Sequence, residues 1–261
     1  MAAPLASASW SAPSSQAAAV GLVAALPEEL AGVRKRLAAV RRTRSRGFRF
    51  VQGTLRGVPI VAVCTGEGCA PAAEGTRALL DGFSVRGLVV LGLGGGLSPA
   101  LEVGSLLAAR QVLDDDGPAP APDGGWSERL TRRTGAGPAT VFTARSALST
   151  AASKCAAWSG LGADGPALVD LETAAVAAVA QSRGVPYVAL RAVSDAAEES
   201  LPVSFERFVD ARGRIRRLAI LGQALRRPRI VPGLWELRRR AALCSARLAD
   251  ALGELLEEGP P

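Results

Sequence analysis

Histidine is absent from all 261 residues. That removes the imidazole base on which Ser-His-Asp and Cys-His nucleophiles depend, so any acid–base chemistry must come from Asp, Glu, Tyr187, Lys or Cys. Cysteine is scarce, with Cys64, Cys69, Cys155 and Cys244 as the four. Cys64 and Cys69 stand in a C-x4-C spacing without a second pair. In a chain lacking histidine this argues against a structural zinc site and against a disulfide framework. Aromatic residues make up only 4% of the chain, so the core must be built from Ala, Val and Leu. No apolar run approaches the ~20 residues that cross a bilayer. Lysine is nearly missing as well: Lys35 and Lys154 are the only two among 31 basic residues.

What is present points to one mixed domain. A chain of this length can bury a single substantial core. The start, residues 1–18, is rich in Ala, Ser and Pro but lacks the basic and apolar regions of a signal peptide, and reads as a disordered tail. A cytoplasmic location is the default expectation. The net charge of +7 invites a nucleic-acid reading, but the arginines gather in 34–49 and 207–240 without interleaved aromatics. A solvated face is the preferred reading of both clusters. Nucleic acid is not an expected partner, and a membrane at most a peripheral one.

From Ala19 onward short apolar runs alternate with helical spacing, the α/β pattern. Val20 to Leu26 reads as a buried strand, and Pro27-Glu28-Glu29 opens a helix expected to reach about Arg41. Phe48–Leu55 and Val58–Thr65 read as a hairpin turning at Arg56-Gly57. Helical spacing covers 70–80. A strand at Leu88–Leu91 runs into Gly92-Leu93-Gly94-Gly95-Gly96, and the next strand spans Gly104–Val112. A loop over 114–125 and a short helix over Trp126–Thr134 follow. Then come a strand at Ala167–Leu171, a helix at Glu172–Arg183 and a strand at Pro186–Val193. An amphipathic helix over about Leu234–Glu257 closes the chain.

Three acids sit where strands end: Glu29, Glu172 and Asp195. The carboxyl ends of strands line the ligand crevice of α/β sheets, so three such carboxylates can converge on one pocket. Taken singly, each reads first as a helix cap or a solvated loop residue. Gly92 to Gly96 allows close backbone approach to a ligand but lacks the Lys-Ser/Thr of a P-loop; a tight strand-to-loop turn is the equal alternative. Thr65-Gly66-Glu67-Gly68 is a similar turn.

Longer stretches carry a resemblance. Val20-Gly21-Leu22-Val23-Ala24-Ala25-Leu26-Pro27-Glu28-Glu29, Thr65-Gly66-Glu67-Gly68-Cys69-Ala70-Pro71-Ala72-Ala73 and Leu91-Gly92-Leu93-Gly94-Gly95-Gly96-Leu97 resemble segments of the purine nucleoside phosphorylase and nucleosidase superfamily. So does Val103-Gly104-Ser105. Most specific are Val169-Asp170-Leu171-Glu172-Thr173-Ala174-Ala175-Val176 and Arg191-Ala192-Val193-Ser194-Asp195, which look like the V-E-M-E-x-x-A and R-A-I-S-D pair. The match runs from about 19 to 197. The resemblance implies a single-domain three-layer α/β/α sandwich with a central mixed sheet over 19–257, and cleavage of a purine N-glycosidic bond by water or phosphate. Asp195 is implied as the acid that protonates N7, positioned by Ser194, and Glu29 as the residue that activates water. Glu172 would bind the ribose hydroxyls, and Leu171, Gly94, Gly95 and Leu148 would also contact the nucleoside. An Asp ordinarily titrates near ~3.9, so an apolar setting would have to favour its protonated form. No metal or cofactor is implied. Homo-oligomers are common in the superfamily and are expected here.

The tail, with Asp210-Ala211-Arg212-Gly213-Arg214 and Leu225-Arg226-Arg227-Pro228, resembles hopanoid-associated phosphorylases, implying a lipid-linked adenine nucleoside as substrate. Departures from the pattern are Asp170 for Glu, Leu171 for Met, Leu93 before Gly94, and no arginine at 89–91. They argue against tight phosphate binding. Leu148 stands where an aromatic often stacks on the base. The alternative is a non-catalytic relative that binds a nucleoside.

Overall fold

The computed structural model describes residues 18–162, 165–203, 208, 210, 213 and 226–257. The expected tail, apart from Ala18, lies outside the described residues, as does most of the Asp210–Pro228 stretch.

The first strand, β1 (Ala19–Ala24), lies at the centre of one sheet between β4 (Val58–Cys64) and β5 (Val85–Gly96), parallel to both. Next to β5 runs β10 (Tyr187–Asp195), also parallel. These strands are buried on both faces, which explains their unbroken apolar runs. In β1, Val20, Leu22 and Ala24 face one layer and Val23 the other. The first layer holds α1 (Ala31–Arg36), α3 (Gly124–Thr134) and α6 (Val231–Leu256). The opposite layer holds α2 (Cys69–Gly82) and α5 (Thr173–Ser182). The three-layer arrangement with a mixed sheet is therefore present.

The sheet also closes on itself, which the sequence pattern did not suggest. Beyond β10 come β6 (Leu106–Asp114), β8 (Gly137–Thr143) and β9 (Ala167–Asp170). The last of these returns to β5, pairing Val169 and Leu168 with Gly95 and Gly96. A two-residue strand, β7 (Gly117–Pro118), hangs from β6. The glycine run at 92–96 is thus the far half of β5 and not the turn it resembles. Its glycines serve close packing at ordinary backbone angles. A Cβ on Gly94 would overlap Leu168 and come within 2.9 Å of the Val169 carbonyl oxygen.

Two further expectations need correcting. The helix expected from Pro27 to Arg41 spans only Ala31–Arg36: residues 27–30 form a turn, and Leu37 is extended (φ −69°, ψ 132°). Residues 38–45 form strand β2, paired antiparallel with β3 (Phe48–Leu55) through a turn at Arg46-Gly47. This strand is exposed along its whole length, so part of the arginine cluster guards a sheet edge with charge. Strand β8 and helix α4 (Ala151–Leu161) were not anticipated. Among the described residues no helix is long and apolar enough to cross a membrane.

One packing contact ties the ends of the chain together. Gly32 of α1 lies so close to α6 that a Cβ there would overlap the Ser245 carbonyl. The Gly32 N–H donates to Ser245 Oγ (2.9 Å), and that hydroxyl donates to the Glu29 carbonyl (3.0 Å). Replacing Gly32 by Ala should lower the unfolding free energy by about 1–3 kcal/mol, the usual cost of overpacking. A urea titration with an unchanged midpoint would show that the two helices do not meet there.

Candidate active site

Glu29 lies in the turn between β1 and α1 and is 4% exposed. Its Oε2 accepts the Leu26 N–H and its Oε1 the Leu93 N–H, each at 2.8 Å. Burial raises the pKa of this carboxyl, while the nearby Arg191 guanidinium and the backbone donors oppose the rise. Gly92 makes this geometry possible: a Cβ there would overlap Arg191 and lie 2.6 Å from Glu29 Oε1.

Arg191 projects from β10 and is itself buried, in an ion pair with Asp170 at the end of β9. Asp170 also accepts from Thr143 Oγ1 (2.7 Å) and from the N–H and hydroxyl of Thr173. The first acid of the Asp170-Leu171-Glu172 motif is therefore the counter-charge of a structural arginine.

Glu172 occupies the N-cap position of α5, yet its side chain makes no capping bond to that helix. It reaches across to accept the Gly68 N–H at the start of α2 (2.9 Å). A simple helix cap therefore does not describe it. Burial pushes its carboxyl up to about 8, with Asp170 adding to the rise and Arg191 opposing it.

Asp195 ends β10 and is 5% exposed. Ser194 Oγ lies 2.6 Å from its Oδ1 and 3.1 Å from the Gly94 carbonyl. Its Oδ2 forms an ion pair with Lys154 Nζ from α4. The setting is thus not the purely apolar one the acid role led us to expect, since a buried ammonium stands against the carboxylate.

One cavity of about 250 Å³ joins these groups. Glu29, Glu172 and Asp195 all line it, as do Leu171, Ser194, Gly94, Gly95 and Leu148. The volume is near the ~300 Å³ lower bound of small-molecule sites, a size suited to a nucleoside. Leu93, Leu148, Val169 and Leu171 supply apolar walls, and no aromatic side chain lines it among the described residues. Glu67 and Asp170 bring the acidic lining residues to five, and no Lys or Arg is among the described ones. Burial, with Glu29 adding, pushes the Glu67 carboxyl up to about 7. No group of side chains suited to a metal ion occurs among the described residues.

Sequence reasoning missed Lys154, Glu67 and the Asp170–Arg191 pair as parts of this site. Glu67 sat inside a turn read for its glycines. Lys154 had one usable signal: it is one of two lysines in an arginine-rich chain.

A strand-end cluster of carboxylates around one nucleoside-sized cavity, on a mixed sheet between helices, fits an enzyme of nucleoside chemistry. Residues 19–226 match the model of the phosphorylase superfamily, and the chain belongs to that family. It is 32% identical over 210 residues to the 5′-methylthioadenosine/S-adenosylhomocysteine nucleosidase of Geobacillus kaustophilus, spanning 72% of this chain and 89% of that protein. The Anoxybacillus flavithermus nucleosidase of the same name is 29% identical over 221 residues, covering 73% and 90%. Among solved structures, the Neisseria meningitidis nucleosidase in complex with methylthio-immucillin-A shares the fold at TM-score 0.71 and 19% identity. That alignment covers 93% of this chain and 100% of that one. Futalosine hydrolase of Helicobacter pylori shares it at TM-score 0.72 and 17% identity, covering 92% and 98%.

The raised Glu172 pKa has a consequence for stability. The folded chain keeps this proton up to about pH 8, whereas an ordinary glutamate carboxyl releases it near 4.5. Between those values the folded state binds more protons, so the Glu172 contribution is fully present at low pH and is lost as pH rises through about 8. Glu172→Gln should therefore raise Tm relative to wild type at pH 9 by roughly 4 °C or more, at about 2–4 °C per kcal/mol for a chain of this size. The gain should shrink towards pH 5. A difference independent of pH would contradict the shift.

Proposed function

We propose that this protein hydrolyses the N-glycosidic bond of an adenine nucleoside. The observation that carries the reading is the cavity itself: Glu29, Glu67 and Glu172 line it beside the ion-paired Asp170 and Asp195, and no Lys or Arg lines it among the described residues. Such a lining suits a reaction whose sugar becomes cationic, and it disfavours a phosphate anion as the acceptor.

The chemistry divides among three carboxyl groups. Adenine is a poor leaving group until N7 is protonated. Asp195, protonated when the substrate is bound, supplies that proton and is left as the carboxylate that the Lys154 ammonium stabilises, and Ser194 holds its Oδ1. As the C1′–N9 bond breaks, its electron pair stays with the base and adenine departs neutral. Glu172 binds the ribose hydroxyls, and the positive charge developing on the sugar favours its ionised form, which in turn stabilises the oxocarbenium-like sugar. Glu29, fixed by two backbone donors, takes a proton from the attacking water as its oxygen bonds to C1′. Leu171, Leu148, Gly94 and Gly95 shape the walls around the nucleoside.

The finer substrate choice rests on weaker support. The Geobacillus and Anoxybacillus relatives are nucleosidases of methylthioadenosine and S-adenosylhomocysteine by name, and the tail resembles hopanoid-associated phosphorylases. Half-buried Leu201 and Leu237 also line the cavity, which favours an apolar 5′ substituent, including a lipid chain that extends beyond it. A homo-oligomer belongs to the same reading, with exposed Val231, Trp235 and Leu243 of α6 as apolar surface available to it.

Adenine release should be followed from methylthioadenosine, S-adenosylhomocysteine and an adenosylated hopane, with and without phosphate. Release at a rate that does not depend on phosphate is expected. No release from any of them would refute the reading, and nucleoside binding without turnover would favour the non-catalytic alternative. Asp195→Asn should lower kcat by about 10²–10⁴-fold, the range of a lost proton donor. An undiminished rate would remove Asp195 from that role.

A further inference from the structure

We infer that Lys154 is a positioning residue whose ammonium orients Asp195 for protonation of the leaving base; the inference rests on the hydrolysis proposed above. The motifs that resemble the superfamily do not include it, since it lies on α4, between the Leu148 segment and β9.

An ammonium carries three protons and accepts nothing. All three of its donors are engaged here. One goes to Asp195 Oδ2, the second to the Ala196 carbonyl at 2.7 Å and the third to the Glu199 carbonyl at 2.9 Å. The side chain is 0% exposed. Lys154 therefore grips the catalytic acid and the chain that follows it in a single contact. The same segment is stitched to α4 elsewhere. The Ala151 N–H donates to Ser200 Oγ (3.0 Å), and the Leu201 N–H donates to the Ser149 carbonyl (2.9 Å). Glu199 in turn pairs with Arg240 of α6 at 2.6 Å.

Packing alone does not account for this residue. Removing an ammonium from water costs several kcal/mol, and an apolar side chain of similar size fills space more cheaply. The choice of lysine is also specific. This chain uses arginine at nearly every other basic position, yet a planar guanidinium cannot aim three donors at one carboxylate and two carbonyls set around a point. Gly95 completes the fit. A Cβ there would stand 3.1 Å from Asp195 Oδ2 and 3.6 Å from Lys154 Cε. With Lys154 on Oδ2 and Ser194 at Oδ1, the rotation of the carboxyl group is fixed on both sides.

The test separates leaving-group protonation from general integrity. Wild type and Lys154→Met are compared on methylthioadenosine, whose base must be protonated, and on p-nitrophenyl β-D-ribofuranoside, whose phenolate departs without a proton. Lys154→Met should lower kcat on methylthioadenosine by about 10²-fold or more, on the scale of lost acid catalysis, with KM little changed. Turnover of the nitrophenyl riboside should stay within a few-fold of wild type. An equal fall on both substrates, or no fall on either, would overturn the inference alone. A wild type that cleaves neither would overturn the hydrolysis and this inference together. Should the variant not fold, the wild type provides the second measurement. Labelling lysine with ¹⁵N marks two side chains, Lys35 and Lys154, and Lys35→Arg assigns them. The Lys154 ammonium should give a slowly exchanging signal that shifts when adenine binds. A signal unmoved by saturating adenine would overturn the inference.

Discussion

Five carboxyl groups crowd one small cavity, and the fold is arranged around making that arrangement tolerable. Each group taken from water is costly, and each repels the others. The chain answers with two buried cations and a set of backbone donors. Arg191 neutralises Asp170 and lowers the cost of Glu29; Lys154 neutralises Asp195. The N–H groups of Leu26 and Leu93 hold Glu29, and that of Gly68 holds Glu172. Most of these groups come from strand ends or the turns beyond them, so the parallel strands at the centre are what bring the charges and their partners together. The residual strain shows in the raised pKa values of Glu29, Glu67 and Glu172, for which burial is the leading cause.

The closed part of the sheet performs the same service sterically. Strand β5 must pass β10 on one side and β9 at its far end, with Arg191, Asp195 and Lys154 all pressed against it. Only residues without side chains fit at 92 and 94, and a Cβ at 95 would press on Asp195. A run of glycine in a strand is ordinarily a weakness. Here it is the condition for placing two cations and two of the acids within one strand's width.

Much of this was legible in the residues, and the parts that were not have physical causes. The central strands were readable because burial on both faces leaves an unbroken apolar run, as in Val20–Leu26. The three strand-end acids were readable because the topology of α/β sheets says where strand ends meet. Strand β2 was not, since its Arg41, Arg42 and Arg44 carry no apolar alternation and its form is set by pairing with β3. Helix α4 was missed because Ala, Ser and Gly around Lys154 give no amphipathic stripe. A turn stayed an equal alternative for the glycine run because sequence cannot distinguish a glycine needed for backbone freedom from one needed for thinness. Lys154 and Arg191 were missed as site residues for a related reason. A buried cation is recognised by its partner, and the partners, Asp195 and Asp170, lie 41 and 21 positions away.

The Ser245 hydroxyl bridges Gly32 and the Glu29 carbonyl across more than two hundred residues. The turn after the first described strand thus takes a hydrogen-bonding partner from a helix far along the chain. Contacts of such long range must wait for the intervening loop to close, and chains dominated by them fold slowly. The turn bearing Glu29 consequently reaches its finished form only once α6 has docked, so a chain lacking α6 holds the sheet's first strand without this support for the turn that follows it.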